Sequence, residues 1–331
     1  MKKFLLVLMS LFICCLSFAN DGYFSFAGGN LTVDGKESSI RMQEETIHIR
    51  FEDDFYEVTV DFTFYNPGKE KTLSVAFPVL MEGEVSGVTA QIYDFQCWTD
   101  GRKEKFDCKP IIHQFKKEVL FQNAYVRKIK FKKQGYTTTK VQYKCSYGAY
   151  VMNSSGEYLF GTGKTWNGNI GKMVIQIENN LFEKRFDTVF MNDEDISKDF
   201  KRISETLYET VKYDVEPNDL KDKIQFLLAD TSEVSIYTFP KKFFYMDRLV
   251  YEDDVFWLNK KQLRLVRNLI YAWHGYEFSS KDINDYLRKS QENQEWRRPY
   301  EINPNFSEND LSDIEKINIK FLLEQEKKWS Y

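Results

Sequence analysis

The sequence predicts a mainly β protein, an antiparallel sandwich-like N-terminal region followed by a small all-α C-terminal module. Three observations predict it. Aromatic residues make up 16% of the chain, with 28 Phe and 20 Tyr, and such rings favour pleated, half-buried surfaces. From Arg41 to Ala229 short apolar runs alternate with polar residues and are divided by turn signals. Beyond Asp253-Asp254 the period changes from two residues to that of a helix.

Residues 1–19 read as an export leader. Lys2 and Lys3 give a basic start, Phe4 to Phe18 is an almost unbroken apolar run, and Ser17-Phe18-Ala19 places small residues where a signal peptidase cuts. The run is shorter than the roughly 20 residues a spanning helix needs. A lipid-attachment reading of Cys14 or Cys15 meets the bulky Leu11-Phe12-Ile13, where small residues are required. Removing the leader, with its two lysines and no acids, turns the formal net charge of −4 into −6. That mild acidity in a chain of about 310 residues excludes a dedicated polyanion binder and leaves room for two domains.

The β-rich domain is expected over residues 20–245. Ile47, Ile49 and Phe51 alternate with polar neighbours, Glu52-Asp53-Asp54 turns the chain, and Val58, Val60, Phe62 and Phe64 alternate again. This is a hairpin with one buried face, ended by Asn66-Pro67-Gly68. Further strands are expected at Thr72–Phe77, Val88–Phe95, Tyr125–Lys132, Lys140–Tyr147, Met173–Ile177, Leu207–Val215 and Lys223–Ala229. Close spacing and intervening turns argue for a sandwich or barrel.

The helical domain is expected over residues 255–331. Asn259 and Gln262 form a capping box for a helix carrying Leu263, Val266, Arg267 and Ile270, and Gly275 stops it. Ser279 with Asp282 opens a second helix. Ser307 with Asp310 opens a third, whose Leu311, Ile314, Ile317, Asn318, Phe321 and Leu322 should share one stripe.

"LIYAWHGYEF" (Leu269 to Phe278), with "WRRPYEINPNF" and "IEKINI" after it, resembles the YARHG domain, a bacterial extracellular module named for its Tyr-Ala-Arg-His-Gly core. Trp273 stands at the arginine position. The preceding region resembles the secreted bacterial family called domain of unknown function 4424, through "AGGNL", "IRMQEETIHI", "FTFYN", "VAFP" and "TGKTWNGNIGK". Both resemblances imply an exported protein, and neither implies a reaction.

"GTGKTWNG" (Gly161 to Gly168) invites a phosphate-loop reading, which fails on two counts. The position five before Gly163 is Tyr158 rather than glycine, and the loop leads into the strand pattern Met173, Ile175, Ile177 instead of a helix. Asn167-Gly168 predicts a hairpin turn there. Trp166, flanked by polar residues beside that turn, is expected to be partly exposed. Only three histidines occur. His48 is expected on a solvated strand face, His113 lies in no ligand pattern, and His274 is expected to bond the last carbonyls of its helix. No catalytic residue, metal site or cofactor is predicted.

Two local features remain. Cys97 and Cys108 are close enough in sequence to close a disulfide loop worth roughly 3 kcal/mol, or they are free thiols with Cys145. Arg127, Lys128, Lys130, Lys132, Lys133, Lys140 and Lys144 occur without an acid between Tyr125 and Tyr147. On a hairpin they would form a basic stripe for an envelope polymer or lipid headgroups, against the alternative of lysines that protect a sheet surface. With Trp166 they are the candidate contact surface. The expectation is an exported, non-enzymatic envelope protein that binds a protein partner or polymer, with no nucleic acid and no spanning helix. The competing class is a wall hydrolase working through paired carboxylates.

Overall fold

The computed structural model describes residues 25–29, 32–33, 37–82, 92–110, 114–115, 118–119, 121–150, 153–219, 222–230, 246, 248–293 and 300–328. The expected leader, His113 and the start of the strand expected from Val88 lie outside these. The longer strands are β1 (Ser25–Gly29), β2 (Arg41–Phe51), β3 (Phe55–Asn66), β4 (Lys71–Glu82), β5 (Ile92–Thr99), β6 (Asp107–Pro110) and β7 (Phe121–Phe131). They continue as β8 (Gly135–Ser146), β9 (Asn153–Leu159), β10 (Ile170–Asn179), β11 (Lys184–Met191), β12 (Leu207–Val215) and β13 (Lys223–Asp230).

These strands form two large sheets, mainly antiparallel, as the sequence predicts. One runs in the order β11, β13, β9, β1, β4, β7, β6, and the other β12, β10, β2, β3, β8, β5, each lengthened by short strands. Each holds one parallel pair, β1 with β9 and β2 with β10. The core lies between the sheets. Along β3 every even residue from Tyr56 to Phe64 is buried, which follows from the two-residue period of a strand. Rings fill the middle: Phe226 lies 5.0 Å from Phe51 and 4.9 Å from Tyr56, and Phe77 lies 5.3 Å from Tyr143.

The hairpin of β2 and β3 has the expected turn, with Glu52 N–H donating to the Phe55 carbonyl at 2.9 Å. Two strands escape a period-two reading for local reasons. β9 reads Asn-Ser-Ser-Gly-Glu-Tyr-Leu, and its Gly156 is required because a Cβ there would lie 2.1 Å from the Phe226 ring. β11 carries an irregularity between Phe186 and Thr188, so its buried residues Phe186 and Val189 are three apart.

Two expected hairpins are crossovers instead. β7 pairs with β4 and β6, whereas β8 pairs with β3 and β5 in the other sheet. Likewise β9 and β10 lie in different sheets, joined by a short 3-10 helix over Gly161–Thr165. A turn signal marks a reversal of the chain but not whether the reversed strand bonds its predecessor.

The C-terminal module contains α1 (Glu252–Val255), α2 (Lys260–Trp273), α3 (Lys281–Asn293) and α4 (Asp313–Lys328). Its apolar cluster begins at Met246 and Val250 and includes Leu263, Val266, Ile270, Ile283 and Leu322. The Asn259–Gln262 capping box is formed. The first backbone bond of α3 runs from Asn284 N–H to the Ser280 carbonyl, one residue beyond the expected start. Ser307 and Asp310 cap only a 3-10 turn, and Ser312 with Glu315 caps α4. The late start rotates the expected stripe: Glu315, Asn318 and Leu322 are buried, while Ile314 and Ile317 are 37% and 54% exposed.

Candidate functional site

The residues chosen from sequence do not converge. Trp166 is only 1% exposed, because its ring packs 4.5 Å from Phe64 and 5.6 Å from Phe131 between the sheets. Of its polar neighbours, Lys164 is exposed and Thr165 and Asn167 are partly buried, while the indole turns in. Lys164 of the same segment donates to the Asn218 carbonyl at 2.9 Å.

The basic residues also divide. Arg127 is 5% exposed and donates to Thr139 Oγ1 across the core, beside the Cys97 thiol. Burial lowers its pKa and raises that of Cys97. Lys128 and Lys130 project from the outer face of one sheet, and Lys140 and Lys144 from that of the other. Acids meet several of them: Lys130 pairs with Glu70 at 2.9 Å, Lys132 with Asp100 at 2.7 Å and Lys144 with Asp94 at 2.8 Å. Lys133 is exposed at the turn between β7 and β8. The single stripe is therefore replaced by two separated, partly neutralised surfaces. Cys97 and Cys108 are not joined, since Cys97 faces the core and Cys108 faces solvent.

The histidines take structural partners. His48 Nε2 lies 3.1 Å from Glu178 on the neighbouring strand. His274 does not bond the carbonyls of its own helix through its ring; it lies 3.0 Å from Glu315 Oε1. Burial alone would raise the Glu315 pKa, but the Ser312 N–H, the His274 ring and the Ser312 hydroxyl outweigh it and the net shift is downward. Gly275 follows at φ +80°, where a Cβ would lie 2.6 Å from the Glu301 carbonyl. The Gly275 carbonyl accepts from Asn303 N–H at 2.9 Å. His274 and Gly275 thus tie the end of α2 to the start of α4 and to the loop before it.

The seam between the two modules gathers what the sequence reading missed. Trp257 leaves the helical module to pack 4.5 Å from Phe186 and 4.6 Å from Tyr208 of the β region. Phe182 crosses the other way and meets Tyr286 at 6.0 Å. Asn259 Nδ2 donates to the carbonyls of Asn179 and Leu181 at 3.0 and 2.9 Å, and Gln262 Nε2 to that of Lys184 at 2.6 Å. Tyr208 Oη donates to the Phe256 carbonyl at 2.9 Å.

Beside this joint opens a cleft of about 690 Å³. The β region contributes Arg185, Asp187, Asp195, Lys198 and Phe200, and the module contributes Arg248, Asp253, Asp254, Phe256 and Trp257. Two ion pairs neutralise part of it: Arg185 with Asp187 at 2.9 Å, and Arg248 with both oxygens of Asp254 at 2.6 and 2.7 Å. The Arg248 bonds hold the Asp254 pKa below its ordinary value. No single stretch of sequence encodes this site, because its walls lie about 60 residues apart. Among the described residues no group of three His, Cys, Asp or Glu is placed to hold a metal, and no helix is long and apolar enough to cross a membrane.

Fold and cleft together define a two-sheet β protein with a helical module docked on one end. Residues 242–327 match the YARHG domain, which places that family at the C-terminus as its Tyr271–Gly275 core indicated. Over most of its length the chain has the fold of a solved protein from Legionella pneumophila, a candidate nutrient-binding protein. The two share 19% identity at a TM-score of 0.51, covering 93% of this chain and 100% of that one. Slighter likenesses reach an M1 zinc metallopeptidase from Deinococcus radiodurans (9% identity, TM-score 0.30, 59% of this chain and 43% of that one) and leukotriene A4 hydrolase from Saccharomyces cerevisiae (12%, 0.30, 57% and 29%). They bear no functional argument. No curated protein matches the chain.

Proposed function

We propose that this is an exported, non-enzymatic binding protein of the bacterial envelope whose ligand enters the cleft between a β domain and a YARHG domain. The observation that carries this reading is the cleft itself. It is of ligand size, lies at an interdomain seam where binding sites concentrate, and combines an aromatic floor with a few charged groups. Export is supported by the leader pattern of residues 1–19 and by the resemblance of residues 20–240 to a secreted family. A division into two domains near residue 245 belongs to the same proposal.

The competing hydrolase reading draws on Asp187, Asp195, Asp253 and Asp254, which all line the cleft. Such an enzyme needs one carboxyl kept protonated by a raised pKa. Asp187 is occupied by its ion pair with Arg185, and the Arg248 hydrogen bonds hold the Asp254 pKa below its ordinary value, the opposite of what a general acid needs. The binding reading is therefore preferred.

The test is a thermal-shift titration of the purified chain with size-fractionated envelope extract, repeated with Thr188→Trp to fill the cleft. A rise in Tm with one fraction that the variant abolishes supports binding. Release of fragments from purified wall polymer, scored by chromatography, would establish the hydrolase instead.

A further inference from the structure

Resting on the reading of the cleft as a binding site, we infer that its ligand is a short peptide of two or three residues with free amino and carboxyl ends and an apolar side chain. The charges left over in the cleft point to this class. Once Arg185 pairs with Asp187 and Arg248 with Asp254, the charged groups without a counter-ion among the described residues are Lys198, Asp195 and Asp253. Asp195 accepts only the Ser197 N–H, at 2.9 Å. One cation and two anions match the ends of a zwitterion: Lys198 suits a carboxylate, and Asp195 and Asp253 suit an ammonium, which offers three donors.

The floor supplies the remaining recognition. Trp257 is anchored against Phe186, Tyr208 and, at 5.6 Å, Phe200, and is partly buried, with its remaining surface lining the cleft. An aromatic surface held rigid in this way takes an apolar side chain at small entropic cost. A cavity of about 690 Å³ falls in the range of drug-sized ligands, which a di- or tripeptide matches. A neutral sugar would also stack on Trp257 but would make no use of the charges on Lys198 and the two aspartates, which are exposed to solvent and open to a ligand. The groups belong to opposite walls, Lys198 and Asp195 to the β region and Asp253 and Trp257 to the helical module. A bound peptide therefore bridges the seam and strengthens docking.

Calorimetric titration of the intact purified chain with Ala-Phe and Ala-Ala-Phe, alongside their N-acetyl and C-terminal amide forms, tests the assignment. Free peptides should bind, and blocking either end should weaken binding about tenfold, the effect of losing one charge-assisted hydrogen bond. Lys198→Met should weaken the free peptide about tenfold while leaving the C-terminal amide unchanged, and Asp253→Asn should do the same for the free and N-acetyl forms. Blocked and free peptides binding equally, or no peptide binding at all, overturns the assignment. If neutral oligosaccharides then bind and Thr188→Trp abolishes that, the cleft remains a site and only the ligand class falls. If neither peptides, sugars nor envelope fractions bind, the binding reading falls with it.

Discussion

Asn259 and Gln262 cap α2 and dock it with the same two side chains. The oxygen of each amide accepts the other residue's backbone N–H, at 3.0 and 3.1 Å, while both amide nitrogens donate to carbonyls between Asn179 and Lys184 of the β region. Helix initiation and module placement are thus coupled, since the cap orients the amides that reach the seam.

Asn259→Asp separates the two roles. The carboxylate keeps the capping oxygen but loses both donated bonds and faces two buried carbonyls. We expect helix content by circular dichroism to be unchanged and stability by urea unfolding to fall by about 2–4 kcal/mol. Asn259→Ala, which removes the cap as well but sets no charge against those carbonyls, should lower helix content and cost about 1–3 kcal/mol. Equal stability of Asn259→Asp and wild type would show that the seam bonds contribute nothing.

Gly275 gives a second prediction. An alanine there meets the Glu301 carbonyl at 2.6 Å and Asn303 N at 2.7 Å, both backbone atoms, at a positive φ that L residues rarely adopt. Gly275→Ala should destabilise the chain by about 1–3 kcal/mol. His274→Ala should cost about 1–3 kcal/mol by leaving the buried Glu315 without its ring partner. Additivity of the two is testable in a double variant. A sum within about 0.5 kcal/mol would mean that the adjacent signature residues act through separate contacts.

Legibility followed the range of the interaction. The β2–β3 hairpin, the strands over Leu207–Val215 and Lys223–Asp230 and the cap of α2 were readable because period, turn and cap are local. The two crossovers were not, because strand pairing is decided by partners far away in sequence. Trp166 shows the same limit: polar flanks describe the turn, while the hole between Phe64 and Phe131 that takes the indole is built by distant strands. The cleft was invisible for that reason too, as Lys198 and Asp253 become neighbours of one space only after the module docks.

Trp166 and Lys164, two residues apart in the segment that resembles a phosphate loop, should behave oppositely. Trp166→Ala empties a filled core site and should cost about 3–5 kcal/mol. Lys164→Ala removes an exposed amine bonded to one carbonyl and should stay within about 0.5 kcal/mol of wild type. ATP with magnesium should leave the Tm unchanged in either protein. A Lys164-dependent rise in Tm would restore the nucleotide reading that motif spacing and crossover geometry reject.

The last prediction concerns acid. Glu37 is buried at the entry to β2, where its carboxylate accepts from Lys71 Nζ at 2.6 Å, Ser39 N–H at 2.8 Å and Ser39 Oγ at 2.5 Å. Burial opposes ionisation, but these bonds and the Lys71 charge outweigh it and bring the pKa down from 4.5 to about 2. A carboxyl depressed on folding stabilises the folded state above its unfolded pKa, and this stability is lost as pH falls toward the folded value. Glu37→Gln should therefore cost about 1–2 kcal/mol at pH 7, a figure discounted because the Lys71 side chain is 45% exposed. The gap between variant and wild type should close as pH falls from 4.5 to about 2, the window set by that shift. Urea unfolding at pH 7, 4 and 2.5 would show it. A gap that persists unchanged at pH 2.5 would mean that Glu37 acts through shape and neutral hydrogen bonds rather than through its charge.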